Sequence, residues 1–345
     1  MDGTIALMLV QDGVTTGAIY ALLALAIVLV FTVTRIIFVP QGEFISFGAL
    51  TLSQLQQGTA PSIVWLLVGF GGLAAIFELV EALRHRRFSA VPRILGWNVG
   101  LPVLLAFLAI WLAPLKLGLG VEIVLSLALV APLGPYLYRI VFQPLAESSV
   151  LVLLIAAMAV HVALTGFGLL FFGAEGSRTE AFSDAMFNVG PAMITGQSIA
   201  VVAVSFVLML GLYLIFERTM IGKALRATAV NRLGARLVGI STSLSGRTVF
   251  LIAALLGGLS GILIGPLTTV YYDTGFLIGL KGFVAAIIGG LISYPIAAVA
   301  AILIGILESI SSFWASAFKE VIVFTAIIPF LIWRSLRAGP AEDEE

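Results

Sequence analysis

Long apolar stretches follow one another along almost the whole chain and are separated by short polar connections. Most of them hold enough residues to cross a bilayer at about 1.5 Å per residue. The pattern predicts an all-α fold, a polytopic transmembrane helical bundle of roughly 10–11 spans that forms a single transmembrane domain over residues 1–345. The predicted spans are 13–34, 44–55, 62–80, 99–113, 121–138, 150–172, 199–216, 249–270, 279–294, 296–313 and 320–333.

The second of these spans is short and interrupted. Pro40 and Gly42 precede the apolar piece 44–55, and Glu43 stands at its start. Irregular backbone at membrane depth is tolerated only inside protein or beside water. The segment is therefore either a broken helix that lines a polar pathway or a short tilted span with Glu43 at its cytoplasmic end.

One histidine, His161, lies near the middle of the span 150–172. An ionisable residue at that depth suggests a functional role. A neutral histidine that is hydrogen-bonded to a neighbouring helix explains it equally simply. Because no partner is close in sequence, we favour the structural role.

The segment 217–247 is cationic, and Lys/Arg-rich loops between spans stay in the cytoplasm. It is either an ordinary cytoplasmic loop or a docking surface for a cytoplasmic partner. Apolar residues recur within it every four positions, which predicts a short amphipathic helix bounded by Gly222 and Gly239. These residues are Leu225, Ala229, Leu233 and Leu237.

The other connections agree with one topology, in which the N-terminus is outside and the C-terminus is inside. Arginines at 84–93 and at 334–337 place those segments in the cytoplasm. The acidic stretch 173–198 is expected outside, as a solvated loop or a contact for an extracytoplasmic partner. The acidic tail 338–345 is predicted to be disordered.

Composition narrows the function. The 345 residues are 61% hydrophobic and 10% charged, which excludes an ordinary soluble domain. A formal net charge of +0 offers no basic surface for nucleic acid, and the absence of cysteine excludes thiolate metal sites. No phosphate-binding loop, metal-binding motif or nucleophile motif occurs, so neither a metal site nor an enzyme is predicted, and ATP is not expected to bind this chain.

Glycines spaced by four predict a face on which helices pack closely, since small residues let two backbones approach. This face belongs to the predicted span 249–270. Its members are Gly257, Gly261 and Gly265.

Several stretches together resemble the permease subunits of ABC importers for branched-chain amino acids, a group that includes urea and short-chain amide permeases. The stretch 13–50 resembles that family's first helix and its second segment, with Val39 to Glu43 at the corresponding place. RIVFQPLAESSV, IGKALRATAVNRLGARLVGI and the Gly-rich stretches at 253–267 and 282–309 resemble later parts of the family in the same order.

The resemblance implies partners and site residues. Cytoplasmic ATPase subunits would carry the ATP, a second permease of the same or a different kind would complete the pathway, and an extracytoplasmic solute-binding protein would deliver the solute. The setting would be the cytoplasmic (inner) membrane of a bacterium or archaeon, with the lipid bilayer around the chain. The expected substrate-pathway residues are Gln41, Gly42, Glu43, Ser46, Gly289 and Gly290. The expected ATPase-docking residues are Lys223, Arg226, Asn231, Arg232, Arg236 and Gly239.

The chain also departs from the family pattern. Residues 83–137 look like an inserted helix pair, and Asn231 stands where an acid is common. These differences leave the solute open. The alternative function is a self-sufficient ion-coupled secondary transporter or channel, based on the broken second segment, Glu43 and His161.

Overall fold

The structure is a computed structural model that describes residues 3–183, 185–189 and 192–337, so the acidic tail 338–345 lies outside the described residues. It is the predicted polytopic helical bundle, with one short antiparallel hairpin in which Met186 pairs with Thr195. The helices are α1 (Gly3–Thr34), α2 (Glu43–Gln56), α3 (Ile63–Arg84), α4 (Val91–Leu95), α5 (Leu101–Leu112), α6 (Leu119–Val130), α7 (Leu133–Leu137), α8 (Val150–Phe172), α9 (Gly196–Arg218), α10 (Met220–Val230), α11 (Arg232–Leu237), α12 (Thr242–Ile264), α13 (Thr274–Ile288), α14 (Tyr294–Trp314), α15 (Lys319–Thr325) and α16 (Ile327–Arg337), and the strands are β1 (Met186–Val189) and β2 (Ala192–Thr195).

Within the described residues, 8 helical runs are long and apolar enough to cross a membrane. Two of them join several elements: 88–115 contains α4 and α5, and 119–142 contains α6 and α7. Shorter elements, namely α2, α13 and the α15–α16 pair, supply the rest of the roughly ten or eleven predicted segments.

Several predicted boundaries were wrong, and three of them have a clear local reason. Helix α1 begins at Gly3 instead of Gly13, because residues 3–12 contain no proline and stay largely apolar. Helix α12 ends at Ile264 because Pro266 has no backbone N–H with which to continue the helical hydrogen bonds. Helix α13 ends at Ile288, and the chain then turns through Gly290, whose φ of +68° suits glycine.

Helix α1 forms the centre of the bundle. Its buried residues run almost without interruption from Gly13 to Thr34. It packs against α14 at Gly17, where a Cβ would lie 2.7 Å from the Cα of Ile302. By contrast α5 and α9 expose Phe107 and Phe206, as expected of helices that face lipid.

The predicted inserted pair, 83–137, occupies two different places. Helix α5 packs beside α3 at the periphery, while α6 reaches the core and packs against α2. There the buried hydroxyl of Ser126 donates a hydrogen bond to the Gly48 carbonyl (3.1 Å). The two helices of the pair are therefore not equivalent parts of one appendage.

Helix α12 approaches α2 through glycines. A Cβ on Gly257 would lie 2.6 Å from the Cβ of Phe44, and one on Gly261 would lie 2.8 Å from the carbonyl carbon of Ile45. Gly265 instead faces Thr179 of the external segment. The two helices thus contact each other nearly backbone to backbone, which only small residues permit.

This contact predicts a stability difference between two Gly→Ala variants. Gly261→Ala should destabilise the protein by about 1–3 kcal/mol, because the added methyl meets backbone that cannot rotate away. Gly211→Ala in α9 is the matched control, since nothing lies within 4 Å of its Cβ position. Thermal melting in detergent measures both, and equal melting temperatures would contradict the packing described.

Candidate functional site

Two short helices, α2 and α13, meet at their N-terminal ends inside the bundle. A Cβ on Gly279 would lie 2.7 Å from the Cα of Gly42, so the backbones touch. The hydroxyl of Ser46 accepts a hydrogen bond from the Gly275 N–H (2.9 Å) and donates one to the Tyr271 carbonyl (3.0 Å). These bonds join the two helix ends.

The far ends of the two helices point to opposite sides of the membrane. At the end of α2, the side-chain oxygen of Gln56 accepts a bond from the Glu180 N–H (3.0 Å), in the segment predicted to be external. Beyond the end of α13, the hydroxyl of Tyr294 lies 3.3 Å from that of Thr32, near the end of α1 that is predicted to be cytoplasmic. The junction of α2 and α13 therefore lies between the two membrane surfaces.

The chain enters this junction through a short 3₁₀ turn, Val39–Gly42. Pro40 suits the first turn of such a helix because its fixed φ is already correct. The buried amide of Gln41 donates a hydrogen bond to the Ala253 carbonyl of α12 (2.9 Å). The interruption that was predicted from proline and glycine is thus a defined 3₁₀ turn, which a hydrogen bond to a neighbouring helix holds in place.

Glu43 and His161 form a close pair at the junction. Nδ1 of His161 lies 2.6 Å from Oε1 of Glu43, whose side chain is fully buried. The ring of Phe276 stacks on the imidazole with 4.0 Å between centroids. Oε2 of Glu43 has no hydrogen-bond partner among the described residues, so the pair holds spare acceptor capacity in the interior.

A second buried charged group surrounds Lys281 of α13. Its ammonium lies 2.5 Å from Oε1 of Glu308 on α14 and 3.1 Å from Oε1 of Glu320 on α15. The hydroxyl of Tyr20 on α1 donates a hydrogen bond to Glu308 (2.6 Å). Four helices are therefore tied together by one cation.

A cavity of about 550 Å³ connects the two groups. Lys281 and Lys319 face it together with Asp273, Glu308 and Glu320, so both signs of charge are present. Leu277 and Phe276 add apolar surface. Such a mixture suits a small solute that carries an ammonium, a carboxylate and an apolar side chain.

The predicted pathway residues fall into two places. Gln41, Gly42, Glu43 and Ser46 lie together, but they are buried in the junction beside the cavity and do not line it. Gly289 and Gly290 follow the opposite end of α13, about 20 Å away along its axis at 1.5 Å per residue.

Sequence reasoning missed the grouping of Tyr20, Lys281, Glu308 and Glu320. A signal existed, because charged side chains inside apolar spans are rare and are usually paired. Which of them pair depends on the relative depth of α13, α14 and α15. Among the described residues no group of three or more His, Cys, Asp or Glu side chains is placed to hold a metal ion.

The cationic segment folds as two helices instead of the single predicted helix. Helix α10 begins after Thr219, whose hydroxyl accepts from the Gly222 N–H (3.0 Å), and α11 begins after Asn231, whose side-chain oxygen accepts from the Gly234 N–H (2.8 Å). The extended backbone at Asn231 changes which side faces inward. Leu225 is consequently buried, whereas Leu233 is 68% exposed.

The predicted docking residues all lie on the cationic segment that contains α10 and α11. Arg226 pairs with Glu217 (2.7 Å) and Arg236 donates to the Thr242 hydroxyl (3.1 Å), while Lys223 is exposed. Arg232 donates to the Ala146 carbonyl, and Gly239 follows α11 with a φ of +86°. Several large apolar side chains are exposed between the cations: Met220, Ile221, Val230, Leu233, Leu237 and Val238.

Comparison with known proteins identifies relatives over nearly the whole chain. The family described as "Branched-chain amino acid transport system / permease component" matches residues 9–332. The high-affinity branched-chain amino acid transport system permease protein LivH of Escherichia coli strain K12 is 27% identical over 341 residues, covering 93% of this chain and 91% of the relative.

Two further relatives extend the comparison. The permease protein BraD of Pseudomonas aeruginosa, from a high-affinity branched-chain amino acid transport system, is 24% identical over 330 residues, covering 94% of this chain and 92% of the relative. A probable branched-chain amino acid transport permease protein LivH of Methanocaldococcus jannaschii is 29% identical over 192 residues, covering 54% of this chain and 61% of the relative. No solved structure matches the chain.

The charged group around Lys281 yields a test of stability. Lys281→Met should destabilise the protein by about 3–5 kcal/mol, because it leaves buried carboxylates without a cation. Lys319→Met is the matched control, because Lys319 is 41% exposed and 4.0 Å from Glu320, and it should change stability by about 1 kcal/mol or less. Melting in detergent compares them, and Lys281→Met combined with Glu308→Gln should recover part of the loss. Equal effects of the two single variants would contradict this account.

Proposed function

The chain belongs to the family of permease components of branched-chain amino acid transport systems, and on that premise we propose that it forms the solute pathway of an ABC importer for branched-chain amino acids or similar small polar solutes. The chain is a multi-pass membrane protein that serves as a transport component, and it is not an enzyme. The proposed location is the cytoplasmic membrane of a bacterium or archaeon. The observation that supports the importer reading best is the exposed surface of α10 and α11.

That surface suits a protein partner in the cytoplasm. Leu237 is 80% exposed and Val238 is 75% exposed. The cationic segment that carries them would be soluble in water without these two apolar side chains. Apolar side chains at the centre of a polar rim are typical of a protein interface. We assign the partner as an ATPase subunit, which binds the ATP that powers transport.

The docking surface is joined to the helices of the junction by direct contacts. The hydroxyl of Thr228 on α10 lies 3.2 Å from that of Ser245 on α12. Helix α12 in turn packs on α2 at Gly257 and Gly261. Movement of the docked helices on ATP binding would therefore displace α12 and α2 together, a rigid-body route to alternating access.

The external segment offers a corresponding surface to a solute-binding protein. Ser177 pairs with Val270 in a β-bridge, and the guanidinium of Arg178 donates two hydrogen bonds to the Pro266 carbonyl (2.9 and 2.7 Å). The external acidic segment is thereby fixed to the loop that leads into α13 and the cavity. A protein bound there would act on the cavity directly.

A second permease, identical or different, would complete the pathway, because two charged residues of the cavity on α15, Lys319 and Glu320, remain 41% and 34% exposed in the single chain.

An ion-coupled transporter that works alone is the second candidate. The Glu43–His161 pair favours it, since a buried pair at 2.6 Å can hold and release a proton.

Docking predicts a specific loss of partner. Leu233→Glu combined with Leu237→Glu should reduce recovery of an ATPase subunit at least about tenfold, since charge in an apolar interface centre is costly. Pull-down of the tagged chain from native membranes with mass spectrometry measures this. Leu336→Glu in α16 is the matched control, because Leu336 is 81% exposed and lies near the end of α16, which is also predicted to be cytoplasmic. Undiminished recovery in the double variant would exclude this docking surface.

The cavity predicts a loss of transport. Leu277→Trp should slow ATP-driven uptake of a branched-chain amino acid at least about fivefold, because a large ring fills space that the solute must cross. Leu277 is 46% exposed, and the control, Leu170→Trp, changes a 72% exposed residue on α8 outside the cavity. Unchanged uptake in Leu277→Trp would remove the cavity from the pathway. Uptake by the chain alone, driven by an ion gradient, would favour the second candidate.

A further inference from the structure

A second cavity, of about 410 Å³, lies apart from the junction and the docking surface. It is bounded by the last turns of α3, the helical run 88–115, the α7 region and the start of α12. Arginines follow α3 at once, and Arg247 lies shortly after the docking segment, so this end of each helix is cytoplasmic. The cavity therefore lies at the depth of the headgroups of the cytoplasmic leaflet.

The floor of this cavity is a compact charged cluster. Glu78 accepts hydrogen bonds from Arg247 (2.6 Å) and from the Asn98 amide (2.9 Å). Arg139 pairs with Glu81 and also places its Nε 3.5 Å from Glu78. All but Glu81 line the cavity.

One arginine of the cluster keeps accessible donor surface. The side chain of Arg247 is 35% exposed although its Nη2 donates to Glu78, whereas Arg139 is 11% exposed and its Nε already faces Glu78. Arg247 can therefore offer a further N–H group to an oxygen anion that enters the cavity, since a guanidinium carries five donors. Guanidinium groups match phosphate oxygens in geometry as well as in charge.

Positive charge exceeds negative charge around the opening. Arg93 lines the cavity, is exposed, and forms no ion pair within the described part of the chain. Arg84 at the end of α3, and Arg86 and Arg87 in the connection that follows, are likewise exposed. An anion would enter a region where cations outnumber the two carboxylates.

Both π-helical turns that occur among the described residues flank this cavity. One is Gly96–Gly100, which carries Trp97 and Asn98, and the other is Tyr138–Phe142, which carries Arg139. Single π turns inside α-helices occur frequently at functional sites because they re-aim side chains. Here they direct residues of two separate helices to one cavity, which packing alone does not require.

The side of the cavity that faces the membrane is apolar. Trp97 is 63% exposed, and Ile94, Leu101 and Leu251 line the same wall. Tryptophan favours the boundary between headgroups and acyl chains. A ligand with a phosphate at one end and hydrocarbon at the other therefore meets matching surfaces at both ends.

We propose that this cavity binds the headgroup phosphate of an anionic phospholipid of the cytoplasmic leaflet. The phosphate oxygens accept from Arg93 and from the exposed part of the Arg247 guanidinium, and the acyl chains lie along Trp97 and the exposed face of α5. Basic cavities between helices on the cytoplasmic side are suited to such lipids. Because Arg247 belongs to α12, the lipid also fixes the helix that follows the docking segment.

Native mass spectrometry of the purified chain in detergent tests this, with phosphatidylglycerol or phosphatidylcholine added. We expect phosphatidylglycerol to be retained at least about fivefold more than phosphatidylcholine, a preference of about 1 kcal/mol by the usual conversion. Arg93→Gln combined with Arg247→Gln should remove the preference. Arg218→Gln, at an exposed cytoplasmic arginine on α9, should keep it.

Each other outcome overturns the proposal. Equal retention of the two lipids, or an undiminished preference in the double variant, excludes the cavity as an anionic lipid site. Stabilisation of the protein by inorganic phosphate alone, without lipid retention, identifies a soluble anion as the ligand. If the Arg247 variant does not fold, Arg93→Gln with Trp97→Leu gives the same test, because both residues are exposed.

Discussion

The structure depends on a backbone contact between two short helices deep in the bundle. Helices α2 and α13 have 14 and 15 residues, so each covers only about 20 Å at 1.5 Å per residue and neither spans the bilayer comfortably. Their ends would leave backbone groups without partners in lipid. The Ser46 hydroxyl satisfies two such groups, the Gly275 N–H and the Tyr271 carbonyl, and the close approach at Gly42 and Gly275 keeps both helix ends inside protein.

The same constraint explains where the buried charges lie. A helix that stops in the interior leaves room for polar side chains, and the Glu43–His161 and Lys281–Glu308 pairs both sit beside the junction. Buried ion pairs are weak evidence for stability, because desolvation offsets most of their attraction. The buried charges are explained if a polar pathway crosses the bundle, which is otherwise soluble in lipid. They therefore support the proposed pathway.

Much of this arrangement could be predicted from sequence, although the pairing could not. Pro40 and Gly42 indicated the interrupted second segment, and hydropathy gave the helical bundle. The partners of Lys281 could not be predicted, because they lie 27 and 39 residues away and depend on the relative depth of three helices. The division of the cationic segment was missed because Leu225, Ala229, Leu233 and Leu237 keep a four-residue spacing across Asn231, which caps α11.

Helix α12 connects all the regions discussed above. It contacts α10 through Ser245, the cytoplasmic cavity through Arg247, α2 through Gly261 and the external segment through Gly265. Its 23 residues extend about 34 Å, close to the thickness of the bilayer core. Since Gly261 meets the backbone of Ile45 directly, no flexible side chain absorbs a displacement at that point. A shift at the docking surface would therefore reach the junction with little loss, which is why the glycines of this helix bear on transport as much as on packing.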